Sequence, residues 1–489
     1  MKKLFLILCF LSIIFFLGRS LNPFSSSTFT FHDSTQPVRI QQFVKELKSF
    51  HIPPRVAADM NFGLGFPVFN FYAPFSYWIT SFINIIGFDI IDSIKLSFFL
   101  ALIFGFFGCY FFLKHFFGFF PSFLGGFLYI TSLYFPLNIF VRGNLAETWF
   151  LAILPLAMSF LLNKNIFASS MLLFFLFTSH NILSLISIPL ILIFVLIIKN
   201  KKRSLLAILF GLLLSAYFWL PALMEMNYTW AKEVATLTNF RGHFLCVDQL
   251  WQSSWGFGGS TSGCINDGMS FMIGKIQLIL FGLGVLMFLK SLRKPKYDDI
   301  FIFWFLFIMT FIHLFLTTYQ SKFIWEIFAP ISSVIQFPWR LIGPPLLGIT
   351  FFSTFFLDKI KIPFKNLLLT VLLIVLFIVN GKYFKGQEIT KNQIEKKFLS
   401  REYIEIKAAY AVAEYLPKTI DYKYWRSLEK KKSIPLEFFA KASIEPFDKN
   451  KETGIEKIGN IVSLLTFILL FIRTVPLRGT VLEKKHGRP

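Results

Sequence analysis

The stretch at residues 91–113 reads IDSIKLSFFLALIFGFFGCYFFL. It is long and apolar enough to cross the hydrocarbon core of a bilayer as one helix, which needs about 20 residues. Comparable runs, bounded by proline, glycine or charged residues, recur along the chain and predict an all-α polytopic membrane protein. The predicted spans, about twelve in number, are residues 4–18, 91–113, 119–137, 147–162, 166–179, 182–198, 204–221, 272–290, 300–317, 340–357, 366–380 and 458–473.

The composition agrees with a membrane protein, since 55% of the residues are hydrophobic and phenylalanine alone occurs 68 times. The net charge of +22 would point to nucleic acid in a soluble protein. Here most of the excess lysine and arginine lies in short loops and tails, where it sets topology and contacts anionic lipid. We expect no nucleic-acid partner, and the chain has no G-x-G-x-x-G, Walker or C-x-x-C motif that would support nucleotide or zinc chemistry.

Positive charge also predicts the orientation. The basic clusters at 199–203, 290–296 and 359–365 all lie inside, with both termini, if residues 75–88 do not cross the membrane. We therefore predict that 75–88 is an amphipathic helix in the interface, where Tyr77 and Trp78 suit the headgroup level. The first span is read as uncleaved, because Gly18-Arg19-Ser20 is a poor signal-peptide boundary.

This orientation divides the chain into parts. Residues 1–380 form a transmembrane domain with a first outer loop at 19–90, residues 381–457 form a small extracytoplasmic subdomain, and residues 458–489 form the last span and a basic cytoplasmic tail. The protein is predicted to be a multi-pass protein of the cytoplasmic (plasma) membrane. The other outer segments are 138–146, 222–271 and 318–339.

Two acids lie just outside predicted spans on this outer face, Asp33 and Glu147. Ionisable groups close to membrane depth are functional candidates, because they are costly to keep there. Each has a structural alternative. Asp33 precedes a helix predicted from Pro37 onward and is equally explained as a turn or capping acid, and Glu147 as half of an ion pair with Arg142.

Further polar residues on the same face are candidates for binding substrate. A histidine that interrupts an apolar stretch, as His180 does, is more often structural than a ligand. An arginine at the outer end of a span opposes the charge bias, so Arg340 predicts an anionic partner. Cys246 and Cys264 lie in one outer loop. The sequence leaves open whether they form a disulfide or remain free thiols. The binding candidates are His32, Arg39, Asp59, Arg142, His180, Gln336 and Arg340.

Several short motifs in order resemble one family. They are His32-Asp33 with Arg39, Pro53-Pro54-Arg55, Gly65-Phe66-Pro67 with Phe71-Tyr72-Ala73-Pro74, Arg142-Gly143 with Ala146-Glu147, and Gln336-Phe337-Pro338-Trp339-Arg340. Together they resemble the bacterial integral-membrane family labelled "6-pyruvoyl-tetrahydropterin synthase-related", over about residues 1–345. That family is similar in layout to the C-fold (GT-C) glycosyltransferases, which use polyprenyl-phosphate sugars.

The resemblance implies a function. Asp33 and Glu147 match the two acids of such enzymes, so it implies an inverting glycosyltransferase with Asp33 as general base. The sugar of a polyprenyl-phosphate donor would pass to a glycan, lipid or protein acceptor of the cell envelope. No metal ligands are assigned and a divalent cation is left open, since the extra acids of the oligosaccharyltransferase members have no counterpart here. The alternatives are a transporter or flippase of lipid-linked saccharide and a non-catalytic envelope-assembly subunit.

The orientation is testable by cysteine labelling. Single cysteines placed in 381–457 should react with an impermeant maleimide added outside intact cells, and cysteines at 199–203 should not, because the basic clusters hold that loop inside. Permeabilised cells provide the control for accessibility. The reverse pattern would contradict the predicted topology.

Overall fold

The computed structural model describes residues 10–11, 13–30, 32–163, 165–237, 240–265, 267–292, 299–429, 438, 447 and 451–474. Its regular structure is mostly helical, as predicted. The helices up to residue 237 are α1 (Gln36–Lys48), α2 (Phe75–Ile85), α3 (Ile90–Lys114), α4 (Phe119–Ile130), α5 (Leu145–Leu162), α6 (Ile166–Phe177), α7 (Asn181–Ile197), α8 (Lys201–Leu214), α9 (Ala216–Met224) and α10 (Ala231–Leu237).

The second half continues in the same way. Its helices are α11 (Lys275–Ser291), α12 (Ile300–Leu316), α13 (Lys322–Ile327), α14 (Ala329–Ile335), α15 (Pro345–Lys359), α16 (Lys365–Asn380), α17 (Lys391–Phe398), α18 (Tyr422–Leu428) and α19 (Gly454–Thr474). Two short strands are β1 (Ser27–Phe29) and β2 (Glu388–Thr390). Short helical turns lie at Arg19–Leu21, Val68–Phe71, Tyr134–Pro136, Leu137–Arg142, Met226–Tyr228, Phe240–Gly242, Val247–Leu250, Tyr319–Ser321, Pro338–Ile342, Gly381–Tyr383, Tyr403–Lys407, Ala408–Tyr410 and Ala413–Tyr415.

Every predicted span coincides with helix, including residues 10–11 and 13–17 of the first. Among the described residues, 5 helices are long and apolar enough to cross a membrane, or up to 7 if each of two bent pairs is one span. The count of about twelve crossings stays a prediction, because α6, α7 and α12 are apolar but short. The stretches that qualify are Ile90–Lys114, Leu145–Leu162, Pro338–Lys359, Lys365–Tyr383 and Gly454–Arg473, and the bent pairs are Phe119–Ile130 with Tyr134–Arg142 (41°) and Lys201–Leu214 with Ala216–Met224 (63°).

Helix α2 covers most of the segment predicted to lie in the interface. It has 11 residues, so it is about 16 Å long, short of a hydrocarbon core of about 30 Å. Its placement in the interface stays a prediction. One detail of that prediction is wrong. Tyr77 does not face the headgroups but is fully buried, and its hydroxyl accepts a hydrogen bond of 3.0 Å from the buried Arg39.

Small residues let the spanning helices approach closely, as is common where no hydrophobic effect drives helix association. A Cβ added at Gly108 of α3 would lie 3.1 Å from the Ala152 carbonyl oxygen of α5. A Cβ added at Gly284 of α11 would lie 2.0 Å from the Phe352 carbonyl oxygen of α15. The core of the bundle therefore depends on backbone contact as well as on its many phenylalanines.

The predicted outer layer joins the loop after the first predicted span to the segment after α16. Strand β1 of the first outer loop pairs antiparallel with β2, with Ser27 opposite Thr390. The Lys391 ammonium donates to Asp89 at 3.0 Å and to Asp92 at 2.5 Å. Residues after 381 are thus packed on the first loop and hold its start in place.

A fully buried lysine, Lys95, holds the same loop in place through hydrogen bonds to its backbone. Lys95 of α3 donates from Nζ to the carbonyl oxygens of Asn22, Ser25 and Ser27 at 3.2, 3.2 and 2.8 Å. Its charge is balanced by Asp92 at 3.1 Å. Loop carbonyls that would lack partners in an apolar surrounding are satisfied in this way.

Of the two alternatives left open for the outer cysteines, the structure has the disulfide: Cys246 and Cys264 are bonded, with their Cα atoms 5.8 Å apart. Cys109 is buried and free. Cys9, expected to be inert packing in the first span, lies outside the described residues.

Two glycines of α11 make a matched test of helix packing. Gly284→Ala should lower the free energy of unfolding by about 1–3 kcal/mol, because α11 and α15 must separate to admit the Cβ. At Gly282 a Cβ meets nothing within 4 Å, so Gly282→Ala should leave stability unchanged or raise it by up to about 1 kcal/mol. Unfolding in detergent micelles measures both, and equal stabilities would contradict this packing.

Candidate functional site

The site starts from a backbone junction between the first outer loop and the turn before α5. The His32 amide donates to the Val141 carbonyl at 3.1 Å, and the Asp33 amide donates to the Arg142 carbonyl at 2.9 Å. The turn then reverses at Gly143, whose φ of 65° is one that side-chain-bearing residues rarely adopt. Two stretches far apart in sequence therefore meet at Asp33.

The Asp33 carboxylate is held on one side and open on the other. Its two oxygens accept hydrogen bonds from Thr35 Oγ1 at 2.8 Å and from Gln36 Nε2 at 2.7 Å. The Arg39 guanidinium lies 3.7 Å away. The N-cap of α1 is Thr35, so Asp33 is not the cap of that helix. Its side chain is 23% exposed, which leaves lone pairs accessible.

Aromatic rings fix Arg39 below this carboxylate. The guanidinium carbon lies 4.4 Å from the centre of the Tyr72 ring, and Nη1 donates to Tyr77. Burial raises the pKa of Tyr72 and of Tyr77, so both phenols are neutral at physiological pH. Arg39 Nε is buried without an acceptor. Arg39 therefore keeps its charge beside Asp33 and retains an unused donor.

Glu147 occupies a different environment. It is fully buried and accepts from Arg142 Nη1 at 2.6 Å. Tyr134 also donates its hydroxyl to Glu147, and Asn138 accepts from Arg142. Asn144 caps α5 by accepting from the Glu147 amide at 2.9 Å. Glu147 thus holds Arg142 and has no exposed oxygen.

The 336–340 motif lies against the same arginine. The Arg142 guanidinium carbon is 4.5 Å from the centre of the Trp339 ring, and that of Arg340 is 5.9 Å from the same ring. Arg340 donates to the Ile335 carbonyl at 3.3 Å, and its Nε is buried without an acceptor. Among the described residues, no carboxylate forms an ion pair with Arg340.

His180 lies close enough to these groups for their charges to act on it. Burial lowers the pKa of His180 to about 3, so the ring is neutral at pH 7. The charge of Glu147 raises the pKa of His180, whereas the charges of Arg340 and Arg142 lower it further. Nδ1 accepts from the Leu183 amide at 3.2 Å as the cap of α7, so the proton of the neutral ring is on Nε2.

The remaining predicted residues are His32, Gln336 and Asp59. His32 donates from Nε2 to the Phe257 carbonyl at 2.7 Å, because a carbonyl oxygen only accepts. Gln336 ends α14 with a left-handed φ of 65°. Asp59 is not brought to Asp33: it pairs with Lys45 at 2.6 Å, further along α1 than Arg39.

Four aromatic residues belong to the site although sequence reasoning did not single them out as site residues: Tyr72, Tyr77, Tyr134 and Tyr403. Tyr403 hydrogen bonds to Ser34 at 2.8 Å across 369 positions of sequence. Tyr72 lies in the Phe71-Tyr72-Ala73-Pro74 motif, which is visible in the sequence. Nothing in the sequence connects Tyr403 to Asp33, because that contact exists only after the outer layer has assembled.

A divalent cation was left open by the sequence. Within the described ranges, no three His, Cys, Asp or Glu side chains come together as a metal-ion site. The Asp33 oxygens already accept from Thr35 and Gln36, and Arg39 lies beside them. This donor set does not fit a cation.

A protein-family model with the description "6-pyruvoyl-tetrahydropterin synthase related domain; membrane protein" matches residues 69–381. The chain belongs to this family. The match includes Arg142, Glu147, His180 and Arg340, and it begins after Asp33. The resemblance stated from the motifs is therefore confirmed at family level.

Among solved structures, the chain is similar to the cryo-EM structure of the arabinofuranosyltransferase AftD from Mycobacteria, with a TM-score of 0.50 and 13% identity. The similarity covers 78% of this chain and 26% of that one, so the chain spans about a quarter of AftD. At this identity the likeness shows the fold alone, which this chain shares with part of a mycobacterial arabinofuranosyltransferase. The comparison with curated protein sequences finds no match.

The buried ion pair predicts an asymmetric response to mutation. Glu147→Gln should lower the free energy of unfolding by about 3–5 kcal/mol, because it leaves the Arg142 charge buried without a counter-charge. The double variant Arg142→Gln with Glu147→Gln should recover part of this loss. The exposed pair of Arg241 and Glu326 is the control, and Glu326→Gln should leave stability nearly unchanged because solvent screens an exposed pair.

Denaturant unfolding in micelles measures these differences. A double variant as unstable as Glu147→Gln would show that lost hydrogen bonds, and not the unpaired charge, dominate.

Proposed function

We propose that this protein is an inverting membrane glycosyltransferase that moves a sugar from a polyprenyl-phosphate donor to a glycan, lipid or protein acceptor of the cell envelope, on the outer face of the plasma membrane. The observation that carries the proposal is the 2.9 Å bond from the Asp33 amide to the Arg142 carbonyl. This bond joins the backbone of Asp33, whose carboxylate is partly exposed, to the backbone of Arg142, whose guanidinium lies against Trp339. A base next to an anion site suits transfer from a phosphate leaving group.

Asp33 is the general base in this proposal. It accepts the proton of the acceptor hydroxyl while that oxygen attacks the anomeric carbon, and the bond from that carbon to the phosphate oxygen breaks. Polyprenyl phosphate leaves with the electron pair. Of the two candidate acids, Asp33 is 23% exposed and Glu147 is 0% exposed, so only Asp33 can reach an acceptor without rearrangement.

Arg340 is the proposed direct contact of the donor phosphate. Its guanidinium has a buried Nε without an acceptor and no ion-paired carboxylate among the described residues, whereas Arg142 is occupied by Glu147. Developing charge on the leaving phosphate is stabilised by such preplaced donors. The Nε2–H of neutral His180 supplies a further donor. Glu147 is a positioning residue, since it acts through Arg142.

An apolar groove supports a lipid-linked donor. It lies between α7 and α12, with a volume of about 280 Å³. His180 of the candidate site immediately precedes α7, and residues of α7 also line the groove. The site and the groove therefore share this helix. The lining residues are Leu190, Ile193, Ile197, Phe301, Phe305, Ile308, Met309, Ile312 and His313. We assign this groove to the isoprenoid tail.

Asp33→Asn tests the proposed base. The amide keeps the size of the carboxylate, and its oxygen and nitrogen can still face Gln36 Nε2 and Thr35 Oγ1. It cannot accept the proton, so sugar transfer should fall by at least about a hundredfold. Asp248→Asn changes an exposed acid of another outer loop and is the matched control, expected to keep full activity.

The assay uses purified protein in lipid nanodiscs with a panel of polyprenyl-phosphate sugars and envelope extract as acceptor. The panel includes arabinofuranose, the sugar in the name of the similar solved structure. Arg340→Ala should raise KM for the donor more than it lowers kcat. Wild-type turnover by Asp33→Asn would contradict the base assignment. In sealed proteoliposomes, movement of lipid-linked saccharide across the membrane without transfer would favour a flippase.

A further inference from the structure

A second cavity, whose lining surface is mostly apolar, lies at the other end of α5 from the candidate site. It has a volume of about 290 Å³ and separates the C-terminal ends of α3 and α5. Because α5 starts beside the candidate site, the cavity is about 20 Å from Glu147 along the helix axis. It is lined by Phe111, Lys114, His115, Ser159, Phe160 and Asn163.

The lining combines hydrogen-bond donors with apolar walls. Lys114 is exposed and, among the described residues, pairs with no carboxylate. The His115 imidazole is fixed by a hydrogen bond of 3.1 Å between Nε2 and Ser159 Oγ. Phe111 is 46% exposed and Phe160 is partly exposed. One side of the cavity therefore suits an anion and the other suits hydrocarbon.

A basic loop extends this surface. Asn200 donates from Nδ2 to the Leu162 carbonyl at 3.3 Å, which holds the loop beside the C-terminal end of α5. The side chains of Lys199, Lys201, Lys202 and Arg203 are exposed and, in the described part of the chain, none is ion-paired. These positive charges raise the local concentration of anions near the C-terminal end of α5.

Two acids lie nearby. Asp299 is close enough for its charge to act on His115. Asp358 is occupied, since one oxygen accepts from the Gly118 amide at 3.0 Å and the other pairs with Lys359 at 3.2 Å. Neither forms an ion pair with Lys114, so no carboxylate of the described residues occupies its ammonium group.

We propose that this cavity binds the headgroup of an anionic phospholipid, with Lys114 and the Asn163 amide on the phosphate and the acyl chains along Phe111 and Phe160. Basic pockets between transmembrane helices on the cytoplasmic side commonly take such headgroups. The position agrees with the predicted inner face. A lysine in the last turn of a helix is also stabilised by the helix dipole, but that interaction needs no cavity and no phenylalanine walls.

Native mass spectrometry of the full chain in detergent tests the proposal, with phosphatidylglycerol compared to phosphatidylcholine of the same acyl chains. Wild type should retain phosphatidylglycerol preferentially. Lys114→Gln should weaken that retention about fivefold, the effect of one charge at a membrane surface. Lys114→Arg should restore it. Lys290→Gln, at the exposed end of α11, is the matched control and should behave as wild type.

A second variant tests the cavity and not the charge. Ser159→Leu fills the space without altering any charge, so it should also lose preferential retention. Thermal unfolding in phosphatidylcholine shows whether each variant is folded. If Ser159→Leu is not folded, the comparison of Lys114→Gln with Lys114→Arg tests the proposal.

Three outcomes would overturn the proposal. The first is equal retention of phosphatidylglycerol by Lys114→Gln and wild type. The second is loss of retention only when residues 199–203 are neutralised, which would assign binding to the loop. The third is displacement of the lipid by inorganic phosphate at equal concentration, which would make the ligand a free anion.

Discussion

The ion pair of Arg142 and Glu147 is buried, so neither charge has water to solvate it. Removing two charges from water is costly, and the cost is offset only when good geometry and further hydrogen bonds satisfy the pair. Tyr134 and Asn138 provide those bonds. Because the pair is satisfied in one arrangement, the turn before α5 is rigid, and the carbonyl of Arg142 has a fixed position for Asp33 to bind.

The outer layer depends on that fixed point and on a second one. Lys95 gathers three carbonyls of the first outer loop, and β2 completes the layer by pairing with β1. Between these anchors the chain has little freedom at Asp33, so its carboxylate faces Thr35 and Gln36 on one side and open space on the other. In the proposed reaction this rigidity places the base without cost at the moment of transfer.

The two acids that looked alike in the sequence have different roles in the structure. Asp33 accepts from neutral donors and remains partly exposed, whereas Glu147 is enclosed by Tyr134 and Arg142. The difference comes from burial, which neither residue's own neighbours in the sequence reveal. Tyr77 shows the same point, since it suited a membrane interface by its chemistry but is buried against Arg39 because α1 and α2 pack together.

The sequence by itself determined where the helices lie, because a backbone in hydrocarbon must satisfy its own hydrogen bonds and long apolar runs have no other solution. It also selected Asp33, Arg39, Arg142, His180 and Arg340 as candidates for a site, since ionisable groups near a bilayer are costly and need an explanation. Tertiary structure alone decided the pairing of β1 with β2, the contact of Tyr403 with Ser34 and the bond of Cys246 with Cys264. Those contacts join distant or irregular segments whose partners are chosen by packing of the whole fold, and no local periodicity or propensity encodes that choice.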